Sequence, residues 1–460
     1  MYKLNQEILK ACDIRGVYNK SLFDDDFYYI ARAFASILHK ENKKTCVLGY
    51  DCRTSSVSLF KKFKQGLLDS GINIYCFDTY ITSPYLYFSL DYLKADSAVI
   101  ITASHNPASY NGCKFVMRDR IFHQKDITKL NKIIEKSGFV DIKTGREVHI
   151  DIKEKYINYL ISKLDVCKLK NAKIVWDCAN GASSFFIEDF VKLLPSKNIL
   201  LFIEPDGTFP NHSPDPSKEE NLILLKQKVL EEKADLGISF DGDGDRVGFI
   251  DNKGRYVNGN QLLILLAKDF LAKNKGAKVI SEVKASKVFY NCIKDFGGIP
   301  VMWKVGHTNQ KAKMKEDDIA FGGETSGHIF YKENNYYDDG MFAAIKLLNY
   351  IYSSSKPLSF HLDQFPKIFS SNEIRLKMSE EERSLFLETI KRNLIKDKVK
   401  FIDIDGMRVD YSKGFWLLRK SNTEPHITLY CESETKEDYQ KVLDNLKYYI
   451  SGTNYNLTQL

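Results

Sequence analysis

Short apolar runs that end in an acidic residue recur along the chain, and a helix-like segment follows each of them. Three runs share this form: Thr45–Asp51, Ala172–Asp177 and Ala277–Glu282. Buried parallel strands that lead into crossover helices typically have this pattern, so the sequence predicts three α/β units. Other apolar runs predict strands at Ser97–Thr102, Ile199–Glu204 and Leu236–Phe240, and helices at Gln261–Lys273, Met341–Tyr352 and Ser379–Leu394.

The pattern changes from about Phe369 onward. Two predicted helices are surrounded there by short predicted strands at Glu373–Leu376, Gly406–Tyr411, Phe415–Arg419 and Ile427–Glu432. This order is typical of a small α+β domain with an antiparallel sheet. We therefore predict an α/β fold with four domains, at residues 1–150, 151–253, 254–366 and 367–460.

Composition restricts the class of protein. Of 460 residues, 67 are Lys or Arg and 60 are Asp or Glu, and this balance does not favour nucleic-acid binding. The nine cysteines are scattered and form no C-x-x-C pair, which favours reduced thiols in a cytoplasmic protein. The longest apolar run, Leu262–Ala267, is too short to span a bilayer, and we expect no membrane association. Without an exposed heptad stripe, a monomer is the default expectation.

The strongest chemical signal is the segment DGDGDR, which directly follows the predicted strand Leu236–Phe240. Asp241, Asp243 and Asp245 place three carboxylates within five residues, and the glycines between them leave the backbone free to curl. A hard cation such as Mg²⁺ would offset their mutual repulsion. An EF-hand calcium loop is excluded, because its sixth position needs Gly and its twelfth needs Glu, where this chain has Arg246 and Asn252.

A second segment, TASHNP, follows the predicted strand Ser97–Thr102 and places Ser104 at the carboxyl end of a strand. Ligands of open α/β sheets gather at such ends. Considered alone, the serine is better explained as a turn-capping hydroxyl. A serine-hydrolase elbow is a poor match, because no G-x-S-x-G surrounds it. Ten residues further on, Lys114 is a candidate for neutralising the charge of a phosphate or for transferring a proton.

Two further polar segments are weaker signals. In GGETSGH (322–328), alternating Glu324, Ser326 and His328 would point one way from an extended loop and suit a polyhydroxyl ligand. In RKSNTEP (419–425), the guanidinium of Arg419, two hydroxyls and an amide would suit a phosphate dianion. An ordinary turn explains either segment equally well when it is taken alone.

Together and in this order, the four segments resemble those of the α-D-phosphohexomutases, in particular the phosphomannomutase/phosphoglucomutase group. Secondary matches agree with this resemblance: DIRG (13–16), GYDCRTS (49–55), DGTFPNH (206–212) and KVGH (304–307). It implies three similar α/β domains with mixed sheets and a C-terminal α+β domain around a central cleft. The implied reaction interconverts hexose 6-phosphate and hexose 1-phosphate through a phosphoserine and a 1,6-bisphosphosugar, which also serves as activator.

The resemblance also implies roles for single residues. Phosphorylated Ser104 would donate the phosphoryl group, beside a Mg²⁺ ion bound by the three aspartates and a phosphoserine oxygen. Arg246, Lys114 and His105 would crowd the same site, and Arg15 and Lys114 are the candidates for proton handling, since a basic group among cations can have a lowered pKa. The implied contacts to the hexose phosphate are Lys284, His307, Glu324, Ser326, His328, Arg419, Ser421, Asn422 and Thr423.

Two departures and two rival functions bear on the substrate. Cys12 replaces an aromatic residue common before DIRG, and Asn260 stands where an acid is frequent; the first affects the expected sugar preference. A phosphoglucosamine mutase typically has Gly at the position of Asn422, so mannose and glucose phosphates are favoured, with the choice between them open. An aspartyl phosphatase usually has Thr or Val where Asp245 stands, and it leaves the other three segments unexplained.

Overall fold

The structure is a computed structural model that describes residues 2–140, 142, 144–421, 425–453 and 455. The chain forms two compact units, the first of residues Met1–Gly259 with Ser326–Phe360 and the second of Asn260–Thr325 with His361–Leu460. No helix in the described ranges is both long and apolar enough to cross a bilayer. The predicted monomer stays a prediction.

The N-terminal part of the first unit is built on a six-stranded mixed sheet in the order β1-β5-β4-β2-β3-β6. Its elements are β1 Asp13–Val17, α1 Asp24–Lys40, β2 Thr45–Tyr50, α2 Ser56–Asp69, β3 Asn73–Cys76, α3 Ser83–Tyr92, β4 Ser97–Ile101, β5 Tyr110–Met117, α4 Gln124–Glu135 and β6 Glu147–His149. The strand β4 is buried along its whole length, in agreement with its unbroken apolar sequence. It is parallel to β2 and antiparallel to β5, so the loop after β4 lies beside β5.

The next part of the first unit has a five-stranded mixed sheet in the order β11-β10-β9-β7-β8. Its elements are α5 Lys153–Ser162, β7 Lys173–Asp177, α6 Ile187–Val191, β8 Lys197–Leu201, α7 Ile223–Glu232, β9 Leu236–Phe240, β10 Val247–Asp251 and β11 Tyr256–Val257. The strands β9 and β10 are antiparallel, with Phe240 opposite Val247. The segment DGDGDR is therefore the whole connection of a hairpin between two buried strands.

The chain then contributes elements to both units. They are α8 Gly259–Lys273, β12 Lys278–Glu282, α9 Lys287–Asp295, β13 Ile299–Trp303, α10 His307–Glu316, β14 Phe321–Gly323, β15 Ile329–Tyr331, α11 Gly340–Ser354 and α12 Leu358–Leu362. In the second unit, β12 lies between β13 and β14 and is parallel to both. The elements β15 and α11 belong to the first unit.

The C-terminal part of the second unit has an antiparallel sheet against two helices, as predicted. Its elements are β16 Phe369–Ser370, β17 Ile374–Lys377, α13 Glu380–Lys396, β18 Met407–Asp410, β19 Gly414–Lys420, β20 His426–Ser433 and α14 Lys436–Ser451. A core that includes Trp416, Ile390 and Leu446 fills the space between sheet and helices. The change of pattern near Phe369 is thus confirmed.

The predicted strands are confirmed with small shifts of their ends. Leu236–Phe240 has the predicted bounds, whereas the strand predicted at Ile199–Glu204 runs from Lys197 to Leu201. Phe202 has φ 51°, a left-handed backbone that cannot continue a strand, although its side chain fits the apolar pattern. The four domain boundaries stay predictions.

Candidate active site

The serine segment is held by bonds from buried side chains. Ser104 lies just after β4 with φ 51°, and its N–H donates to Thr102 Oγ1 at 2.9 Å. The buried guanidinium of Arg53 donates to the carbonyl oxygens of Ser104 at 2.7 Å and Asn106 at 2.6 Å. A left-handed non-glycine residue is strained, and it persists where the surroundings fix it. The structure thus holds the hydroxyl-bearing residue in one orientation.

The hairpin connection faces this serine. Asp241, Asp243 and Asp245 are each completely buried, and one carboxylate oxygen from each lies within 4.8 Å of the others. Ser104 Oγ donates to Asp241 Oδ2 at 2.7 Å. A Cβ on Gly242 would lie 2.5 Å from the carbonyl oxygen of Ser104, so only glycine permits this approach. The serine and the three carboxylates are thereby one site.

Lys114 reaches the same carboxylates from β5. Its Nζ donates to Asp243 Oδ2 at 2.6 Å and to Asp245 Oδ2 at 2.5 Å, and Ser83 Oγ donates to Asp243 Oδ2 at 2.6 Å. Burial disfavours the lysine's charge, but the attraction of these carboxylates outweighs it and raises the pKa of Lys114. The sequence argument for a lowered pKa is wrong here, because the nearest neighbours of the lysine are anions.

The three carboxylates carry more negative charge than one lysine offsets. Burial and repulsion by Asp245 and Asp243 raise the pKa of Asp241 well above its usual range. Burial also opposes the charge of Asp245, yet Lys114 and His328 hold its pKa well below that range. Asp243 Oδ1 is buried and has no hydrogen-bond partner among the described residues. Oxygen ligands with such unsatisfied charge suit a hard divalent cation.

A group of nitrogen-bearing side chains borders the carboxylates. Arg246 Nε donates to His328 Nε2 at 3.2 Å, and the same ring nitrogen lies 3.4 Å from Asp245 Oδ1. His105 Nδ1 lies 3.3 Å from Ser104 Oγ. Burial, followed by the nearby Arg246 and Arg15 charges, lowers the pKa of His105 well below its usual range. His105 is thus favoured in its neutral form beside the serine.

Arg15 approaches the serine loop from β1. This strand is antiparallel to β5, with Asp13 opposite Lys114. The Arg15 guanidinium donates to Asn106 Oδ1 at 2.6 Å and forms an ion pair with Asp13. Arg15 Nε is buried and has no hydrogen-bond partner among the described residues. The arginine is therefore anchored next to the serine loop with one donor still available.

The second unit contains a separate group of the predicted residues. Glu324 Oε1 accepts from the Gly306 N–H at 2.6 Å, directly before His307 begins α10. Lys284 Nζ lies 3.6 Å from Glu373 Oε2. The described part of the phosphate-loop motif comprises Arg419, Lys420, Ser421 and Pro425, and the predicted contacts Asn422 and Thr423 lie outside the described residues.

Asp405 connects two parts of this second group. Its Oδ2 accepts from the Val305 N–H at 2.9 Å and lies 3.3 Å from a terminal nitrogen of Arg419. Arg419 Nε is buried and has no hydrogen-bond partner among the described residues. A guanidinium that keeps a buried donor unused has capacity for an anionic ligand.

The structure divides the residues of GGETSGH between the units. Glu324 belongs to the second unit, whereas Ser326 and His328 belong to the first, where Ser326 Oγ lies 3.2 Å from His328 Nδ1. His328 therefore contacts the carboxylate site through Asp245 and Arg246. The common side of Ser326 and His328 agrees with the alternation in the sequence.

Sequence reasoning missed several residues that position this site. Arg53 holds the serine loop, and Ser83 donates a hydrogen bond to Asp243. Asp338 Oδ2 lies 3.9 Å from His328 Nε2. In the second unit, Glu282 Oε1 accepts from the N–H and hydroxyl of Thr325. The GYDCRTS segment was a signal for Arg53, because an arginine that follows a buried strand needs hydrogen-bond acceptors for its guanidinium. The others gave no local signal.

Comparison with known proteins identifies relatives along nearly the whole chain. Four family models match, described as phosphoglucomutase/phosphomannomutase alpha/beta/alpha domain I at residues 6–141, domain II at 154–254, domain III at 258–369 and the C-terminal domain at 373–447. A curated relative, the phosphomannomutase/phosphoglucomutase of Pseudomonas aeruginosa, is 37% identical over 440 residues, which cover 95% of this chain and 94% of that protein.

Solved structures agree with this comparison. A phosphoglucomutase/phosphomannomutase family protein from Burkholderia thailandensis has a TM-score of 0.91 at 30% identity, over 97% of this chain and 98% of that one. An N-acetylphosphoglucosamine mutase from Aspergillus fumigatus, solved with GlcNAc-6P and magnesium, has a TM-score of 0.60 at 14% identity, over 96% and 95% of the two chains. The latter shows a shared fold alone. Together these matches confirm the four-domain α/β architecture and the predicted family.

Proposed function

The chain belongs to the phosphoglucomutase/phosphomannomutase family of intramolecular phosphotransferases, and we propose that its reaction proceeds through a phosphoserine at Ser104. The observation that carries the proposal is the 2.7 Å contact from Ser104 Oγ to Asp241 within a cluster of three buried carboxylates. A serine that only caps a turn does not require neighbouring carboxylates. A phosphorylated serine does benefit from them, because a cation shared with the carboxylates offsets the charge of the phosphoryl group.

The proposed cofactor is Mg²⁺, held by Asp241, Asp243 and Asp245 together with an oxygen of phosphorylated Ser104. The completely buried carboxylates and the unpartnered Asp243 Oδ1 fit a small cation with oxygen ligands. The ion would supply charge stabilisation to the phosphoryl oxygens during transfer. Lys114 and Arg246 add fixed positive charge at the same place, and Arg53 keeps the serine loop aligned for in-line attack.

The proposed chemistry consists of two related transfers. A hydroxyl oxygen of the hexose phosphate attacks the phosphorus and gives up its proton, while the bond between phosphorus and Ser104 Oγ breaks and Oγ takes a proton. The resulting 1,6-bisphosphosugar then reverses its orientation in the site. Ser104 Oγ takes up the other phosphoryl group by the reverse steps. Arg15 and Lys114 remain the proposed proton carriers; the raised pKa keeps Lys114 protonated and makes it a weak proton donor, so this pKa does not assign the two proton transfers.

The proposed substrates are hexose phosphates with glucose or mannose as the sugar. Lys284, His307, Glu324, Ser326, His328, Arg419, Ser421, Asn422 and Thr423 are the proposed contacts to the sugar and its second phosphate. The name of the relative from Pseudomonas aeruginosa includes both mannose and glucose, which supports proposing both sugars as substrates. A phosphoglucosamine mutase is not favoured, because relatives that are 34–37% identical are named phosphomannomutase or phosphoglucomutase.

Peptide mass mapping of purified protein after incubation with glucose 1,6-bisphosphate tests the nucleophile. We expect phosphate on the peptide that contains Ser104, and its loss on incubation with excess glucose 1-phosphate as bisphosphate forms. Acid-stable phosphate on another residue, with none on Ser104, contradicts the proposal. Release of inorganic phosphate from glucose 1-phosphate, with no glucose 6-phosphate formed, would favour an aspartyl phosphatase instead.

A further inference from the structure

A cavity of about 310 Å³ lies within the first unit, away from the proposed transfer chemistry. Its walls come from the helices α3 and α5 and from the segment between β15 and α11. None of its lining residues belongs to the proposed metal, serine or sugar contacts. The cavity therefore needs an explanation of its own.

One wall of this cavity is aromatic. Phe88 lies 5.4 Å from both Tyr156 and Tyr159, measured between ring centroids, and it stacks on Tyr92 at 5.7 Å. Tyr337 also lines the cavity. Aromatic faces carry negative charge density and attract cations that are not strongly hydrated.

The charged side chains in the lining all have one sign. They are Asp91, Glu333 and Asp339, and the lining contains no Lys or Arg. Glu333 is paired with Lys346 at 2.6 Å, and burial raises the pKa of Asp339 to about 7, so Asp91 is the acid that a bound cation would meet. Asp91 is oriented by the side chains of Asn335 at 2.6 Å and Tyr337 at 3.3 Å, so its carboxylate is held in place. A lining without Lys or Arg is a poor match for a sugar phosphate, and the Asp91 carboxylate favours a positively charged ligand.

A buried hydroxyl in the lining is unsatisfied. Tyr156 is 1% exposed, and its hydroxyl has no hydrogen-bond partner among the described residues. Buried polar groups without a partner are rare in folded proteins and are stabilised by a ligand or water that bonds to them. An N–H donor on a bound molecule would satisfy the hydroxyl oxygen.

Both sides of the cavity are fixed by hydrogen bonds to the hairpin that carries the carboxylates. The N–H of Ser83, next to the lining residue Pro84, donates to the Asp243 carbonyl at 2.9 Å. The N–H of Gly340, next to the lining residue Asp339, donates to the Gly244 carbonyl at 3.1 Å. Such walls need little reorganisation on binding, which favours affinity.

We propose that this cavity is a binding site for a small organic cation, a protonated amine or amidine on an apolar body. The apolar body packs against Phe88 and Tyr159. The charged nitrogen faces Asp91 and donates a hydrogen bond to the Tyr156 hydroxyl. This site shares no lining residue with the proposed catalytic one.

Fluorine NMR titration with 4-fluorobenzylamine, at saturating Mg²⁺, tests the site against the neutral analogue 4-fluorobenzyl alcohol and the anion 4-fluorobenzoate. We expect the amine to bind with a Kd of about 1 mM or lower, a plausible affinity for so small a ligand. It should bind roughly tenfold more tightly than the alcohol, as charge and cation–π contact predict. Equal binding of amine and alcohol, or tighter binding of the benzoate, overturns the proposal.

Three variants locate the binding. Asp91→Asn should weaken amine binding about tenfold, and Tyr156→Phe about fivefold, the usual effect of one hydrogen bond. Tyr92→Ala should weaken it severalfold; because this side chain is 51% exposed, the change leaves the fold intact. The distant exposed variant Asp25→Asn serves as control for surface charge. Amine binding unchanged in all three cavity variants overturns the proposal, whatever its affinity.

Discussion

The two units of the molecule arrange their charged side chains in opposite ways. In the first unit, three completely buried carboxylates lie close together, and Lys114 donates hydrogen bonds to two of them. In the second unit, the predicted anion-binding cations Lys284 and Arg419 each face an acid, Glu373 and Asp405 respectively. The first arrangement supports the proposed additional cation, whereas the second holds its cations in place for the proposed anionic ligand. The comparison therefore indicates which ligand each unit favours: a cation in the first unit and an anion in the second.

The largest expected effect comes from removing the proposed nucleophile in the first unit. Ser104→Ala should lower kcat by roughly 10⁴-fold or more, because no other group can carry the phosphoryl. A coupled assay with glucose 1-phosphate and bisphosphate activator measures it. A loss of less than tenfold would contradict the role of Ser104, and an unchanged melting temperature of the variant is the control for the fold.

Weakening the carboxylate cluster should have the next largest effect. Asp243→Asn removes one ligand charge and should lower kcat about 10²–10³-fold, comparable to losing a major charge-stabilising group. The Mg²⁺ concentration for half-maximal activity should also rise, as measured by titration after EDTA treatment. Asp269→Asn, a change at a helix surface, is the matched control. An unchanged Mg²⁺ requirement would mean that the cluster is not the metal site.

In the second unit, changing a cation should affect binding more than turnover. Arg419→Lys keeps the charge but loses the planar fork, so KM for hexose phosphate should rise about tenfold or more while kcat changes little. Steady-state kinetics at saturating Mg²⁺ separate the two. A fall in kcat with unchanged KM would place Arg419 in the transfer step instead.

The smallest effect should have the opposite sign. Glu373→Gln removes an acid whose pKa is lowered, against burial, by Lys284, Arg375 and Arg419. Because the phosphate no longer competes with this carboxylate, KM should fall about twofold to fivefold, in keeping with a partly exposed ion pair. If KM rises instead, Glu373 orders the cations rather than competing for them.

Much of this arrangement could be predicted from the sequence because its signals are local. The apolar run Leu236–Phe240 followed by DGDGDR predicted both a buried strand and a cation site, and the structure has that strand with the same bounds. The loop with Ser104 was placed correctly after a buried strand for the same reason. Its role was not decided locally, since a turn cap explains the hexamer better when it is taken alone.

The contacts that complete the site join residues far apart in the chain, and no periodicity reports them. Lys114 bonds to Asp243, 129 residues away, so its raised pKa could not be inferred from the basic residues near it in sequence. Arg53 and Ser83 likewise act through residues distant in the chain. The separation of Glu324 from Ser326 and His328 depends on where the chain passes from one unit to the other.

The sequence by itself determined the order of strands and helices, the acidic hairpin and the serine loop, because hydrophobic period and turn chemistry act over a few residues. The tertiary structure decided which cation meets which anion, because burial removes the solvent that would otherwise screen charges and makes each neighbour count. Ser104 became a candidate nucleophile because three other motifs accompany it in the sequence. The tertiary structure placed the loop after β4 next to the acidic hairpin, where Asp241 is the carboxylate partner of the serine.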